Sequence, residues 1–262
     1  MLEQFTSPAN PLVKEVRRAA SKGVATSDGL WVAEGIHLLE EARRSRLEVP
    51  VVLVAESARN PEAIREFAKN ARVLRLADPV FREVATTESS QGVIALVKPP
   101  QWSLDDLFGD QSLVIVMDGI QDPGNAGAIA RAAEAFGATG LVFLKGTTGP
   151  QQPKTLRASA GSLFRVPLVA GASVGEVLEL MEMRGLALYG AVPYSTSARR
   201  AGDADLAIPC AIAIGSEGAG LGPQLRAVVQ GITIPTKGVE SLNAAVSAAV
   251  LLYEASRQRE AA

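Results

Sequence analysis

The sequence is poor in the two side chains used most often for metal binding and covalent catalysis. Its 262 residues include one cysteine, Cys210, and one histidine, His37. A single cysteine excludes an intramolecular disulfide, and a zinc site built from Cys and His ligands is effectively excluded too. His37 lies in a predicted helix and is more typical of a packing or surface residue than of a catalytic triad. Any chemistry must come from carboxylates, arginine, hydroxyls, amides or a cofactor.

Long apolar runs are also missing. No stretch approaches the roughly 18 uninterrupted apolar residues of a membrane span. Residues 1–11 do not combine a charged region with a following apolar run, as a signal peptide would. Hydrophobic residues still make up 47% of the chain, which is ample for the core of one large domain or two modest ones. The cytoplasm is therefore the expected location.

The chain has no overall excess of basic residues. There are 26 Lys and Arg residues against 28 Asp and Glu residues, a net charge of −2. A strongly basic domain would have indicated nucleic acid, and this balance neither indicates nor excludes it. Basic residues in the first hundred do cluster, and such clusters are usually solvated helix faces. An RNA-contacting surface is the second interpretation of this set: Lys14, Arg17, Arg18, Lys22, Arg43, Arg44 and Arg46.

The chain divides into two halves at Pro99 and Pro100. The first half mixes predicted helices with short predicted strands, which is typical of a small α/β or α+β domain. The helices are predicted at 11–22, 35–46 and 61–69. The strands are predicted at 31–33, 51–55, 73–76 and 93–97.

The second half alternates strands and helices more regularly. Several of its strand-like runs are continuously apolar, as expected for parallel strands covered on both faces. This pattern predicts a doubly wound parallel sheet of six strands. The strands are predicted at 113–118, 140–145, 165–170, 186–192, 210–215 and 231–235. The helices are predicted at 126–136, 154–164, 174–184, 223–229 and 242–258.

Three segments in the second half place glycines or small polar residues where a strand ends. They are residues 125–131, 215–222 and 234–243. Ligands of open α/β sheets bind at the carboxyl ends of the strands, where loops bring backbone N–H groups close to them. Three such loops in one chain predict one composite site for a nucleotide-like molecule.

Helix starts in two of these segments have a structural and a functional interpretation. Asn125 stands where a helix N-cap is expected, and Arg131 lies about two turns further on, so its side chain could reach back over the loop. Spacing alone leaves open whether they are only a cap and a surface residue. Ser241 is predicted to cap the last helix. Leu242 and Asn243 would then begin that helix, with N–H groups that point into the loop.

The middle segment, AIAIGSEGAGLGP at 211–223, is glycine-rich. From Gly218 its spacing is G-x-G-x-G rather than the dinucleotide pattern G-x-G-x-x-G, and it lacks the Lys-Ser/Thr pair of a P-loop. This makes a nicotinamide-dependent oxidoreductase a weak alternative. The glycines still permit positive φ and close approach of a ligand to the backbone. The charge of Glu217 would repel a phosphate and suits a cation or hydrogen-bond donors.

Together and in this order, the three segments resemble the motifs of the SpoU (TrmH-type) branch of the SPOUT RNA methyltransferases. The matches are N-x-G-x-x-x-R with a following F-G from Asn125, I-G-S-E-G-x-G-L at 214–221, and I-P-x-x-x-x-x-S-L-N-x-x-x-S at 234–247. The resemblance covers about residues 112–260. The first hundred residues resemble that family's substrate-binding domain more loosely, through SPANPLVKEVRRAA at 7–20, V-A-E-G at 32–35 and SSQGVIALV at 89–97.

The resemblance implies a fold and an assembly. An RNA-binding domain of small α/β, ribosomal-protein-like type is expected at 1–98, a linker at 99–111 and the methyltransferase domain at 112–262. The second domain is expected to be a SPOUT-type parallel sheet with a C-terminal trefoil knot. Such threading is otherwise nearly absent from proteins, and spacing alone would predict an unknotted sheet. A homodimer is also implied.

The activity implied is methylation of a ribose 2′-hydroxyl in structured RNA, with S-adenosylmethionine as cofactor and without a metal. Large-subunit rRNA is the preferred substrate, and a tRNA enzyme or a non-catalytic RNA-binding protein are the alternatives. The resemblance implies backbone contacts to the cofactor from Gly190, Gly215, Gly218, Ile234 and Leu242. It places around the methyl group and the ribose the residues Asn125, Arg131, Glu217, Ser241 and Asn243.

Two further expectations follow from this resemblance. The basic residues expected to contact RNA are Lys14, Arg17, Arg18, Lys22, Arg43 and Arg44. Arg131 would either activate the hydroxyl as a base or only orient it while holding a phosphate. A guanidinium is a poor proton acceptor because its pKa is above about 12, and the sequence leaves both roles open.

Overall fold

The computed structural model describes residues 3–5, 9–58, 64, 66–193 and 198–261. The chain forms two compact units, and one of them is discontinuous. The first unit comprises Met1–Gln101 and Gln151–Phe164, and the second comprises Trp102–Pro150 and Arg165–Ala262. The helix predicted at 154–164 therefore belongs to the first unit, although its sequence lies within the second half. Its apolar pattern could not indicate which sheet it would cover.

The first unit contains a mixed sheet with strand order β1-β4-β3-β5-β2 among the described residues. Strand β5 runs antiparallel to β2 and β3, while β1, β3 and β4 are parallel. The strands are β1 (Glu3–Phe5), β2 (Trp31–Glu34), β3 (Val51–Ala55), β4 (Arg72–Leu76) and β5 (Val93–Val97). The helices of this unit are α1 (Pro11–Lys22), α2 (Ile36–Arg44), α3 (Asp78–Val84) and α6 (Pro153–Ser159), followed by a 3-10 turn at Ser162–Phe164.

Helix α1 illustrates how the local sequence determines where a helix begins and ends. Pro11 occupies its first turn, Asn10 Oδ1 accepts from the N–H of Leu12 at 2.9 Å, and Gly23 ends it in the left-handed conformation. Its apolar side chains pack into the core of the unit. The predicted helix 11–22 is confirmed, whereas the predicted helix 61–69 lies partly outside the described residues, which include only 64 and 66–69 of it. Strand β1 and helix α3 were not predicted.

The second unit contains a sheet of parallel strands, as predicted, in the order β10-β12-β9-β11-β6-β7-β8. Its strands are β6 (Leu113–Asp118), β7 (Gly140–Leu144), β8 (Leu168–Ala172), β9 (Ala187–Ala191), β10 (Arg199–Arg200), β11 (Cys210–Gly215) and β12 (Gln230–Thr233). Its helices are α4 (Leu104–Leu107), α5 (Pro123–Ala135), α7 (Val174–Arg184), α8 (Pro223–Arg226) and α9 (Ala244–Glu260). Strand β10 is an addition to the predicted six, because two exposed arginines give no apolar pattern.

The starts of α5 and α9 differ from the prediction. Asp122 caps α5, since its Oδ1 accepts from the N–H of Asn125 at 2.9 Å. Proline favours the first helical position, so Pro123 moves the cap to the residue before it. Asn243 caps α9 by accepting from two N–H groups of the first turn. The predicted caps Asn125 and Ser241 were therefore wrong, and the prediction that Leu242 begins the helix was wrong too.

Candidate functional site

The three segments that were predicted to form one site follow strands β6, β11 and β12, which end at one edge of the sheet. Strand β11 lies beside β6 with Gly215 opposite Asp118, so the loops after both strands start side by side. Strand β9 pairs with β11 and with β12, which places the segment after β12 at the same edge. Because all these strands are parallel, their carboxyl ends share that edge.

The glycine-rich loop after β11 folds back on itself. Ser216 and Gly220 exchange two backbone hydrogen bonds, at 3.1 Å and 2.9 Å, and Gly220 has a φ of +68°. A Cβ atom at Gly215 would lie well inside 3.0 Å of the Gly220 backbone. Glycine is therefore needed at position 215 so that the loop can close. The sequence had suggested a different reason, namely that a ligand approaches the backbone closely.

Two side chains hold this loop in place. Asp118, at the end of β6, accepts a hydrogen bond from the N–H of Gly222 at 2.7 Å. Arg226, in α8, donates from Nη2 to the carbonyl oxygens of Ala219 and Leu221, each at 2.8 Å. Neither residue was predicted as part of the site, because nothing in local spacing shows a hydrogen bond to a distant backbone group.

Three predicted side chains, one from each loop, form a hydrogen-bonded cluster. Glu217 Oε1 accepts from Asn125 Nδ2 at 2.8 Å and from Asn243 Nδ2 at 2.5 Å. Asn243 Nδ2 also lies 3.1 Å from Asn125 Oδ1. The carboxylate is thus matched with amide donors, as its position in a glycine loop suggested. The cluster is partly open to solvent, so its remaining hydrogen-bonding groups can meet a ligand.

A cavity of about 740 Å³ lies beside this cluster. Its size falls within the range of about 300–1,000 Å³ that is common for small-molecule sites. The predicted residues that line it are Gly215, Glu217, Gly218, Ile234, Ser241 and Leu242. Gly190 does not line it: a Cβ atom there would lie 2.6 Å from Val229 Cγ2 and 2.8 Å from Leu221 Cδ1. Glycine at 190 therefore serves packing in the structure.

Thr233 is a cavity-lining residue that the sequence did not reveal. It is 1% exposed, at the end of β12. Its Oγ1 is buried and has no hydrogen-bond partner among the residues that the structure describes. An unsatisfied buried hydroxyl costs about 1–3 kcal/mol, so such atoms are rare and deserve an explanation. A threonine in an apolar strand gives no sequence signal for such a role.

Arg131 and the residues predicted to contact RNA do not line this cavity. Arg131 is exposed on α5 and makes no hydrogen bond or salt bridge with any described residue. In the first unit, Arg17 pairs with Glu83 at 2.6 Å. Two other predicted residues pair along their own helices: Arg18 with Glu15 at 2.7 Å, and Arg44 with Glu41 at 3.1 Å. Lys14 and Lys22 are exposed, and Arg43 is half-buried.

Cys210 is a core residue, as its apolar surroundings suggested. It is 0% exposed, and burial raises the pKa of its thiol. Within the described ranges, no group of three or more His, Cys, Asp or Glu side chains could hold a metal ion. None of the helices in the described part of the chain is long and apolar enough to cross a membrane.

The parallel sheet, the three carboxyl-edge loops and the cavity define an α/β protein with a site for a nucleotide-sized ligand. Residues 112–253 match the model of the SpoU rRNA Methylase family. Residues 10–95 match the MRM3-like substrate binding domain. The chain belongs to the SpoU rRNA methylase family, and the resemblance inferred from the motifs is confirmed.

Proteins similar to this chain include two named rRNA enzymes. It is 31% identical to the 23S rRNA (guanosine(2553)-2′-O)-methyltransferase RlmP of Bacillus subtilis, over 96% of this chain and 98% of that protein. It is 35% identical to the 23S rRNA (uridine(2479)-2′-O)-methyltransferase of Streptomyces viridochromogenes, over 74% and 71%. The crystal structure of the SpoU methyltransferase AviRb from Streptomyces viridochromogenes in complex with AdoMet matches with a TM-score of 0.84 and 28% identity, over 96% of this chain and 98% of that one.

Proposed function

We propose that this chain transfers the methyl group of S-adenosylmethionine to a ribose 2′-hydroxyl of large-subunit rRNA. The observation that carries this is the cluster of Asn125, Glu217 and Asn243 at a nucleotide-sized cavity, inside the region that defines the family. The two similar enzymes with named substrates both act on 23S rRNA, which favours rRNA over tRNA. The complete cluster favours an enzyme over a non-catalytic binding protein.

Several features of the cavity fit S-adenosylmethionine. The Oγ1 of Thr233, which has no partner among the described residues, offers a hydrogen bond to a polar ligand. Apart from its chain neighbours, no described residue would lie within 4 Å of a Cβ atom added at Gly218, so a ligand can approach its backbone closely. We assign cofactor contacts to Gly215, Gly218, Ile234 and Leu242. When bound, S-adenosylmethionine supplies a methyl group already activated by its sulfonium.

The polar cluster would orient the ribose. The two amide donors engage Oε1 of Glu217, and Oε2 has no hydrogen bond to any described residue. That oxygen can accept the hydrogen bond of a 2′-hydroxyl and hold its oxygen in line with the methyl group. Correct alignment of two reactants can account for several orders of magnitude in rate. Ser241, at the cavity wall, would contribute to the same orientation.

Arg131 would hold the RNA rather than take the proton. A guanidinium has a pKa above about 12 and remains charged, which suits a phosphate next to the target ribose. The absence of intramolecular partners among the described residues leaves its donors available for that contact. The proton of the hydroxyl would then pass towards the Glu217 carboxylate.

The proposed protein has a knotted fold, forms a homodimer and acts in the cytoplasm. We infer a C-terminal trefoil knot, supported by the family and by the order of the parallel sheet. We also infer a homodimer. Val246, Val250 and Tyr253 are spaced i, i+4 and i+7 on α9 and are 48%, 38% and 56% exposed, so they form an apolar stripe that a second copy could cover. The cytoplasm is the proposed location.

The RNA would be bound by the N-terminal domain, proposed at 1–98, with a linker at 99–111 and the methyltransferase domain at 112–262. Residues 151–164 are the exception to this division, because they belong to the same compact unit as the N-terminal domain. The match of 10–95 to a substrate binding domain supports this division. The proposed phosphate contacts are Lys14, Arg17, Arg18, Lys22, Arg43 and Arg44. Those already paired with carboxylates would exchange partners on binding RNA.

The role of Thr233 can be tested by replacing it with valine. Removal of an unsatisfied buried hydroxyl is expected to raise the free energy of unfolding of the ligand-free protein by about 1 kcal/mol. The same change should reduce the increase in Tm that S-adenosylmethionine produces, because the ligand loses a hydrogen bond. Thermal unfolding with and without the ligand measures both effects.

Thr155→Val is the matched control for this experiment. Thr155 is also buried, and its Oγ1 likewise lacks a partner among the described residues, but it lies in the first unit and does not line the cavity. Thr155→Val should stabilise the protein and leave the ligand-induced shift unchanged. An equal ligand-induced shift in Thr233→Val and wild type would show that Thr233 does not contact the cofactor.

The substrate can be tested by methyl transfer from tritiated S-adenosylmethionine. Unmodified 23S rRNA, prepared by transcription, and bulk unmodified tRNA serve as acceptors in parallel reactions. Incorporation of label into 23S rRNA at a stoichiometry approaching one methyl group per molecule is the expected result. Label in tRNA alone would mean that the alternative substrate is correct, and label in neither RNA would contradict the proposed activity.

A further inference from the structure

The first unit contains a second cavity, of about 280 Å³. The two short segments that resemble family motifs, 32–35 and 89–97, both reach it. The segment Gln151–Phe164, which belongs to this unit, supplies a third wall. Its lining consists of Gly35, Leu38 and six polar or charged residues: Glu34, His37, Thr87, Ser89, Gln91 and Arg157.

The buried carboxylate of Glu34 lines this cavity, and the positive charge of Arg157 offsets its negative charge. The Glu34 side chain is 2% exposed. It accepts hydrogen bonds from the N–H and hydroxyl of Thr86, at 2.8 Å and 2.5 Å, and from the hydroxyl of Thr87 at 2.7 Å. Arg157 Nη1 lies 3.4 Å from the same carboxylate and donates to Thr86 Oγ1 at 2.6 Å. The acidic and basic charges offset each other, and the network fixes the shape of this part of the cavity.

The rim carries hydrogen-bonding groups that have no partner among the residues the structure describes. Gln91 Oε1 accepts from the N–H of Ile36 at 3.0 Å, which fixes the amide and leaves its Nε2 donors without partners among the described residues. The side chains of Ser89 and His37 are exposed and make no hydrogen bond within the described part of the chain. Gly35 has a φ of +109°, a conformation that L side chains rarely adopt. The wall at this point is bare backbone.

We propose that this cavity binds one unpaired nucleobase of the RNA substrate. This inference rests on the proposed function. A volume of about 280 Å³ lies just below the common range for small-molecule sites and suits a single planar base better than a whole cofactor. Sequence-specific recognition of RNA uses bases in single-stranded regions, which bind through hydrogen bonds at their edges.

The balance of charge favours a base over a phosphate as the occupant. Glu34 and Arg157 neutralise each other, so the cavity has no excess positive charge to attract an anion. Amide and hydroxyl groups at the rim can both donate and accept, as the edge of a base requires. The exposed basic residues of the unit would contact phosphates, which position the RNA, while the cavity would contribute sequence selectivity.

The substitution that tests this proposal is Gln91→Glu. A glutamate keeps an oxygen that can accept from the N–H of Ile36, so the local fold is retained, but it removes both amide donors and adds a negative charge. The affinity for 23S rRNA, measured by filter binding, is expected to fall at least about tenfold, because a lost hydrogen bond combines with repulsion of the RNA. The affinity for S-adenosylmethionine, measured by calorimetry, and the Tm should equal those of wild type.

Gln101→Glu is the matched control, since it makes the same change of charge at an exposed residue of this unit that lines neither cavity. It should bind 23S rRNA as wild type does. Ultraviolet cross-linking of the wild-type complex, followed by mass spectrometry, provides a test that needs no variant. The cross-linked nucleotide is expected on a peptide that contains 35–38 or 87–91.

The outcomes separate this inference from the proposed function. If wild type binds and methylates 23S rRNA while Gln91→Glu binds it equally well, the cavity does not receive a base. Equal weakening by Gln101→Glu would also overturn the inference, because the effect would then be general repulsion. If wild type neither binds nor methylates 23S rRNA, the proposed function itself fails.

Discussion

Replacing Gly215 with alanine is expected to weaken the binding of S-adenosylmethionine severely. The new Cβ atom would lie well inside 3.0 Å of backbone atoms of Gly220 and Leu221. Backbone cannot rotate away as a flexible side chain can, so the loop that forms the cavity wall must open. Overpacking of this kind costs about 1–3 kcal/mol or more. At the upper end this corresponds to a loss of affinity of more than about a hundredfold. Calorimetric titration measures it directly.

Gly175→Ala is the appropriate control for this variant. Gly175 lies in the first turn of α7, and a Cβ atom there would meet no atom within 4 Å. It adds the same methyl group to the same unit and should leave the affinity for S-adenosylmethionine unchanged. If Gly215→Ala bound the cofactor as tightly as wild type, the closed loop would not be a requirement of the site.

Replacing Arg131 with alanine is expected to reduce methyl transfer by about 10²–10³-fold, an effect of the size seen when one electrostatic contact to a reacting group is removed. The stability of the protein should not change, because the Arg131 side chain is exposed and forms no hydrogen bond or salt bridge with the described residues. The affinity for S-adenosylmethionine should also be that of wild type. Single-turnover methylation of 23S rRNA, with calorimetry alongside, separates the two effects.

A pH profile of the same variant tests how Arg131 acts. If Arg131 only holds a phosphate, the methylation rates of wild type and Arg131→Ala should depend on pH in the same way and differ only in height. A change in the shape of the profile would show that Arg131 takes part in proton transfer. Wild-type activity in Arg131→Ala would remove the residue from the mechanism altogether.

The sequence predicted the second unit well because its strands are continuously apolar. Strands β6 and β11 have the predicted bounds, Leu113–Asp118 and Cys210–Gly215. A buried parallel strand is determined by local composition, so a short window of sequence is enough. The helix caps were predicted less well. The observed caps Asp122 and Asn243 lie only three and two residues from the predicted ones, and the choice depends on the backbone geometry of the loop before the helix.

The composite site was predicted from the resemblance and not from local pattern. Asn125, Glu217 and Asn243 are separated by as many as 118 positions, and only the sheet brings them together. The lack of a partner for the Thr233 hydroxyl within the described ranges is a property of tertiary packing and has no local signal. Arg157 is a further case, because its salt bridge to Glu34 spans 123 positions and its helix belongs to the first unit.

The most direct test of the central claim is the position of the transferred methyl group within the nucleotide. Wild-type protein would be incubated with labelled S-adenosylmethionine and 23S rRNA, and the RNA would then be hydrolysed in alkali. A 2′-O-methyl group blocks alkaline cleavage at that position, so the label is predicted in an alkali-resistant dinucleotide. Label released in single nucleotides would place the methyl group on a base and contradict the claim that this site presents a ribose hydroxyl to the methyl donor.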